Sequence, residues 1–273
     1  MNMKMNSISV VCPTYNSSKY ILRTLKSLVN QIKKPDEIIF SDDGSIDNTT
    51  EIIKNYGKIF EQNSIPFKIL NNYHKGPGAA RNYGIKASTK SWIAFLDSDD
   101  VWKPGKLKEV SEFILKGNSN CFLHWEEYIN KNKKIVVKHG YNYFEENNKI
   151  FNQLYNRNFF STSAIVCKKD ILENNGGFDT SLPNAQDYDL WLKIADDIKL
   201  SIIPKVLGEY HILNNSITSR PYYKRIKAEL IIANRYRNNV KLSSYVKKIL
   251  RIIFSPEWIK LIYKYLKSKR FLN

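Results

Sequence analysis

Short apolar runs alternate with amphipathic stretches over the first hundred residues. Ile8, Val10, Val11 and Cys12 form a largely β-branched run that stops at Pro13, as a buried strand does. Ser17 and Ser18 then offer a helix cap, and Ile21, Leu25 and Leu28 recur at three- and four-residue steps, which predicts a helix. Residues 37–41 predict a second strand that ends at Asp42, and Asp47 is placed to cap a helix carrying Ile52, Ile53 and Tyr56. Residues 67–70 predict a third strand, followed by a loop at Gly76, Pro77 and Gly78 and a helix over 79–87. Residues 92–96 predict a fourth strand that runs into Asp97, Ser98, Asp99 and Asp100. Crossovers of this length imply right-handed βαβ units and a mainly parallel sheet, in which ligands sit beyond the carboxyl ends of the strands. Tyr15, Asp42, Asp43, Asp97 and Asp99 all fall at or just after those ends.

The second half is less regular. Residues 118–160 mix short strand signals with polar loops, 163–167 predict a strand, and 176–179 read as a turn. Residues 187–196 predict a helix with Leu190, Trp191 and Ile194 on its apolar side. Beyond Pro221 the pattern turns helical through Ile226, Leu230 and Ile231, then Val246, Ile249, Leu250 and Ile253. Ser255, Pro256 and Glu257 predict one more helix start, leading to Trp258, Ile262, Tyr263 and Leu266. The expected organisation is an α/β domain over residues 1–220 and a helical tail over 221–273.

Charge sharpens that division. Lysine and arginine number 43 against 26 acidic residues, a net of +17. Fourteen of the basic residues lie beyond residue 220, opposed there only by Glu229 and Glu257. A nearly balanced body with a basic tail suggests that the body performs chemistry and the tail finds a surface. Hydrophobic residues at 42% and aromatics at 13% of 273 residues exclude a disordered chain. Cys12, Cys121 and Cys167 are odd in number and scattered, which argues against a disulfide framework and for a reducing compartment. The apolar run at the start is too short for a signal peptide, and no run reaches the ~18 residues of a membrane span. A nucleic-acid binder is the rival suggested by the charge, but no nucleic-acid motif accompanies it.

The candidate chemistry lies in the aspartates. Asp97 and Asp99, one residue apart behind a buried strand, can face one cation; Mg²⁺ or Mn²⁺ takes one or two carboxylates and completes its shell from water and phosphates. Asp42 and Asp43 read equally well as a solvated strand-end turn. Asp187 reads as a cap for the helix that runs through Trp191, and Asp189, two residues along that helix, points about 200° away. His74, His124 and His139 show no ligand spacing.

Five fragments together carry a resemblance: PTYN at 13–16, DDGSID at 42–47, GPGAARN at 76–82, DSDD at 97–100 and QDYDLW at 186–191. In this order and at these intervals they resemble family 2 glycosyltransferases of the GT-A fold, over residues 7–216. The resemblance implies a mainly parallel α/β sheet flanked by helices and an inverting transfer from a nucleotide-diphosphate sugar, expected as UDP-hexose or UDP-N-acetylhexosamine, with Mn²⁺ or Mg²⁺. It places Pro13, Tyr15 and Asp43 on the nucleotide base, Arg81 on the nucleotide, and Asp97 on the ribose or a metal-bound water. It places Asp99 on the cation and Asp187 as the catalytic base; Asp100 is expected to be structural. Two departures stand out. Gln186 occupies a position where relatives often carry Glu. In YHILNNS at 210–216, Leu213 stands where relatives carry a metal- or phosphate-contacting His, leaving His211 as the substitute. Trp102 is an expected pocket wall or a core residue. The implied acceptor is a glycan carried on a polyprenyl diphosphate, used in bacterial surface-polysaccharide synthesis. The implied location is cytoplasmic, peripheral on the inner face of the plasma membrane, with no nucleic acid bound; the basic tail and its interfacial aromatics Trp258, Tyr263, Tyr265 and Phe271 suit either an anionic surface or a packed helical cap with a solvated lysine face. A sugar nucleotidyltransferase and a catalytically dead relative are the rivals; the first lacks its Gly-rich loop here, and the intact Asp99 and Asp187 oppose the second.

Overall fold

The computed structural model of the chain describes residues 6–130, 133–141, 144–146, 148–213 and 222–255. The four predicted strands are β1 (Ile8–Thr14), β2 (Glu37–Asp42), β3 (Phe67–Asn71) and β4 (Trp92–Phe95). They are joined by α1 (Ile21–Val29), α2 (Thr49–Gln62) and α3 (Pro77–Ala87). β1 pairs in parallel with β2 and with β4, and β2 in parallel with β3. The register sets Thr14 beside Asp42, so the ends of β1 and β2 finish level.

The chain continues through β5 (Val101–Trp102), α4 (Lys106–Leu115), β6 (Cys121–Asn130), β7 (Lys133–Val137) and α5 (Ile150–Asn156). It goes on through β8 (Ile165–Lys168), α6 (Lys169–Asn174), α7 (Gln186–Lys193), β9 (Leu200–His211), α8 (Tyr222–Arg235) and α9 (Leu242–Ile253). Among the described residues the strands form one sheet in the order β3-β2-β1-β4-β8-β6-β9-β5, with β7 paired to β6. β8 runs antiparallel to β4 and marks where the parallel half meets the mixed half. β9 runs parallel to β6 across an irregularity near Trp125 and antiparallel to β5, which ties the far edge of the sheet to the residues that directly follow the Asp97–Asp100 loop.

Both faces of the sheet are covered, as expected for strands that read as continuous apolar runs. Ile8, Val10 and Cys12 join Phe40, Leu25 and Trp102 in one apolar cluster. Val11, facing the opposite way, joins Phe95, Phe178 and Trp191 in the other. Ile232 of α8 lies in that second cluster, and Tyr155 Oη donates to the Ala233 carbonyl at 3.0 Å. The first helix of the basic segment is thus packed into the apolar interior of the body.

Local details differ from the sequence pattern. α1 starts at Ile21 without a side-chain cap: Tyr20 takes the cap position, and the Ser17 hydroxyl, three residues earlier, is engaged with that of Ser98 at 2.7 Å. Asp47 does act at the start of α2, accepting the Thr49 N–H at 3.0 Å. Ser163 belongs to a tight 3-10 turn (Thr162–Ala164), and the strand begins only at Ile165. The helix expected over 187–196 stops at Lys193. The helix expected from Ser255 onward, with Trp258, Tyr263, Tyr265 and Phe271, lies outside the described residues.

Candidate active site

At the ends of β1 and β2 two adjacent aspartates are held by different partners. Asp42 Oδ1 accepts the Thr14 hydroxyl at 2.8 Å, and its carboxylate takes the Ser45 N–H and hydroxyl at 2.7 and 2.6 Å. That lashes the two strand ends together. Asp43, 2% exposed, accepts the N–H groups of Lys75 and Gly76, each at 2.8 Å, and His74 Nδ1 lies 2.8 Å from its Oδ2. Gly76 has φ +91°, a backbone that glycine adopts without strain. Tyr15, 45% exposed, stacks on His74 with ring centres 4.3 Å apart. Tyr15, Asp43 and His74 therefore form one aromatic shelf with a carboxylate at its back, and Pro13 sits just behind it, paired with Ser41. His74 is a member of this group that its sequence context did not reveal.

The loop after β4 is anchored from several directions. Arg81 Nη2 donates to Asp97 Oδ1 at 2.6 Å, with its guanidinium over the Phe178 ring. The Ser163 hydroxyl donates to Asp100 Oδ2 at 2.6 Å and accepts the Asp97 N–H at 3.1 Å. Asp100, 1% exposed, also accepts the His211 N–H at 3.0 Å, so it latches the loop to β9 in a structural role. Arg23 Nη2 donates to the Asp99 carbonyl at 2.6 Å. Burial and the negative charge of Asp97 push the Asp99 carboxyl up to about 6. Arg23 and Ser163 hold this loop yet carry no motif of their own.

Trp102 faces the interior, its indole N–H donating to the Ser163 carbonyl at 3.0 Å and Lys106 Nζ lying over its ring. Of the two readings its position allowed, pocket wall or core, the structure puts Trp102 in the core cluster. His211 does lie beside the aspartate loop. Its Nε2 is buried without a hydrogen-bond partner, 3.5 Å from Glu209 Oε2. Burial, and then the charge of Arg23, hold this imidazole below its usual range.

α7 supplies the third group. Ala185, just before it, has φ +55°, a left-handed backbone unusual for a residue with a Cβ. Gln186 Oε1 accepts the Gly78 N–H at 2.9 Å, and its Nε2 donates to the Leu182 carbonyl at 2.9 Å. A glutamate here would keep the first bond and lose the second, since a carboxylate cannot donate. A Cβ on Gly78 would come within 2.4 Å of Gln186 Oε1, so the close approach needs glycine. Burial pushes the Asp187 carboxyl up, Arg81 draws it down, and the charge of Asp97 adds to the rise. Asp189, 0% exposed, points the other way and accepts Arg235 Nη1 at 2.7 Å and Tyr236 Oη at 3.2 Å. The two carboxylates of α7 are separated as helical geometry requires.

Residues 76–81 join these pieces. Gly76 bonds Asp43, Gly78 bonds Gln186, and Arg81 bonds Asp97. Burial opposes the Arg81 charge, but Asp97, then Asp187 and Asp99, outweigh it and hold the guanidinium protonated above its usual range. The aspartate loop and the helix bearing Asp187 therefore both act on the Arg81 cation, and the Asp43 shelf is bonded to the start of the same segment. Among the described residues no group of three or more His, Cys, Asp or Glu is placed to hold a metal alone. A cation at Asp97 and Asp99 would draw the remainder of its shell from water and substrate oxygens.

The sequence profile of glycosyl transferase family 2 matches residues 9–176. One similar protein is the UDP-Glc:alpha-D-GlcNAc-diphosphoundecaprenol beta-1,3-glucosyltransferase WfgD of Escherichia coli, 30% identical over 85% of this chain and 87% of its own length. Staphylococcus aureus TarS 1–349 in complex with UDP-GlcNAc shares the fold at TM-score 0.70, with 23% identity over 93% of this chain and 79% of that one. The Pyrobaculum calidifontis mannosyltransferase PcManGT, in complex with GDP-Man and Mn²⁺, superposes at TM-score 0.66 and 14% identity over 96% and 75% of the two chains. The parallel half-sheet turning into a mixed half at β8 is the GT-A fold. With the profile matched over more than half its length and a 30% identical relative spanning most of both chains, this protein belongs to glycosyl transferase family 2.

Proposed function

We propose that the protein transfers a sugar from UDP-hexose or UDP-N-acetylhexosamine, with inversion, to a hydroxyl of a glycan carried on a polyprenyl diphosphate, in surface-polysaccharide synthesis. The observation that carries this reading is the position of Arg81: it bonds Asp97 and lies in the fields of Asp99 and Asp187, so donor-side and acceptor-side carboxylates face one space. The activity for which the Escherichia coli relative is named and the UDP-GlcNAc complex of the Staphylococcus neighbour support the donor and acceptor classes.

Each residue then has a task. Tyr15 and His74 offer aromatic faces to the base, and Asp43, whose Oδ1 accepts only the Lys75 N–H and so retains a lone pair, accepts an imide N–H there. Arg81 holds the nucleotide portion through charge and keeps Asp97 oriented. Asp187 accepts the proton of the acceptor hydroxyl while the anomeric carbon is attacked. Burial raises its affinity for that proton, which suits a base working near neutral pH. One base on one face is what a single inverting displacement requires.

Asp97 and Asp99 fit a hard divalent cation, because two oxygen-bearing acids that disfavour each other's charge are relieved by one. Mn²⁺ or Mg²⁺ held by Asp99, with Asp97 alongside and His211 beside the same loop, would neutralise charge developing on the departing diphosphate. The Mn²⁺ complex of the Pyrobaculum neighbour supports the choice of metal.

The reaction is placed at the cytoplasmic membrane surface, with the protein attached peripherally. α9 exposes Leu242, Val246, Leu250 and Ile253, with Phe254 just past its end, beside Lys241, Lys247 and Arg251. That combination suits an anionic lipid interface. Among the described residues no helix is long and apolar enough to cross a membrane.

The test is thermal shift with UDP, UDP-glucose, UDP-GlcNAc and GDP-mannose, each with and without Mn²⁺, followed by transfer to a GlcNAc-diphospho-lipid. A UDP-sugar should raise the melting temperature only with the cation and should be consumed with formation of a glycosylated lipid. Stabilisation by none of the UDP compounds would defeat the reading.

A further inference from the structure

α7 is eight residues long, enters through a left-handed residue, and has no side-chain cap. Yet it carries Asp187, whose placement has to be held closely for proton transfer. On the cleft side its anchor is the Gln186–Gly78 bond. The other side is gripped by the basic C-terminal helices. Arg235, at the end of α8, donates Nη1 to Asp189 and Nη2 to Asp179, both at 2.7 Å. Tyr236 Oη adds a bond to the same Asp189 carboxylate at 3.2 Å. Asp189 Oδ2 has no hydrogen-bond partner, and Lys193 Nζ is 3.9 Å from it, so Arg235 and Tyr236 are the direct hydrogen-bonding support of a buried charge. Lys248 of α9, 5% exposed, donates to Tyr188 Oη and, at 2.9 Å, to the Tyr155 carbonyl, with its ammonium over both rings. Tyr188 and Asp189 are the two residues that directly follow Asp187.

We propose that Arg235, Tyr236 and Lys248 are positioning residues, and that the α8–α9 hairpin is a clasp that sets the orientation of α7 and so the aim of Asp187 at the acceptor hydroxyl. The clasp rests on Asp187 being the base. It assigns the basic segment a part in turnover that is separate from any surface it binds. The lever is strong because a buried carboxylate stripped of its cation has to move or draw in water, and an ångström of misplacement at a reacting group can cost on the order of a hundredfold in rate.

The test uses the full chain with Arg235→Gln, Arg235→Lys and Lys248→Met. Amide exchange across residues 186–193 is measured by mass spectrometry, UDP affinity with Mn²⁺ by calorimetry, and kcat and KM with UDP-glucose and the lipid acceptor. The clasp predicts faster exchange in 186–193 for Arg235→Gln and Lys248→Met, UDP affinity within about twofold of the parent, and kcat lowered at least tenfold at little-changed donor KM. Arg235→Lys, which restores the charge, should recover part of the rate. Lys248→Met leaves no unpaired charge behind and guards against a variant that merely unfolds. Unchanged exchange across 186–193 in both variants overturns the clasp, whatever the rate. Faster exchange with unchanged kcat, or UDP affinity falling in parallel with kcat, overturns its role in positioning. Retained turnover in Asp187→Asn would instead overturn the base assignment, while the exchange measurement still decides whether the hairpin holds α7.

Discussion

At the β1–β2 end of the proposed site, Asp42 and Asp43 are met by hydroxyls and backbone N–H groups from chain 3 to 33 residues away. At the α7 end, Asp187 stands on a short helix whose outer supports, Arg235 and Lys248, come from 46 and 60 residues further on than the groups they hold. The first site is a rigid shelf made by strand ends that the sheet register sets level. The second is a lever held by side chains on separate helices. On the proposed reading, a donor site can be built by local geometry, whereas a buried and aimed base such as the one proposed at Asp187 needs anchoring from elsewhere in the chain.

The sharpest way to break that contrast is Asp187→Asn. Turnover should fall by about 10²–10⁴-fold, the range expected for losing a positioned base, with UDP affinity intact; calorimetry beside steady-state kinetics separates the two. The same residue sets the pH profile. Because burial raises its pKa, the acid limb of kcat should lie above the ordinary aspartate range, with rate lost as pH falls through the raised value. A limb at the ordinary value would return Asp187 to solvent.

Asp43→Ala attacks the other end. It removes the acceptor for two backbone N–H groups and should weaken UDP by about ten- to a hundredfold, as the loss of a charged hydrogen bond would, while kcat at saturating donor changes less. Gly78→Ala probes the joint between the ends. Its methyl group would press on Gln186 Oε1, costing about 1–3 kcal/mol in a urea titration. Adding Gln186→Ala should return part of that loss, because the obstacle is gone.

The smallest effect concerns Lys248, whose pKa burial, and then Arg251, lowers to about 8 from 10.5. Between those values the unfolded chain carries a proton that the folded chain has released. Stability should therefore rise with pH across that window and decline as pH drops through about 8. Melting curves of Lys248→Met should show a flatter dependence than the parent; an equal slope would contradict the burial of this lysine.

How far the sequence could be read follows the same division. β1 to β4 announced themselves because a buried parallel strand is a short apolar run bounded by polar turn residues, and Asp43 and Asp97 stand where such strands end. Arg81 and Asp187 could be singled out only through the combined motif pattern. Nothing local marks His74 as the partner of Tyr15, Ser163 as the knot of the aspartate loop, or Arg23 as the clamp on the Asp99 carbonyl, since each acts through a contact made across the sheet. Trp102 illustrates the converse: an aromatic next to an aspartate cluster could wall a pocket or join the core, and only its bond to the Ser163 carbonyl and its burial decide for the core. The grip of Arg235 and Lys248 on α7 was hidden because a lysine that seeks a carbonyl has the same letter as one that seeks solvent.

The most direct test of the central claim, that donor shelf, cation and base share one cleft, is anomalous diffraction from crystals grown with UDP and Mn²⁺. The account predicts a manganese peak at the Asp99 carboxylate, uracil against Tyr15, His74 and Asp43, and the Asp187 carboxylate facing the same space across Arg81. A manganese peak remote from Asp99, or UDP bound away from Asp43, would contradict it.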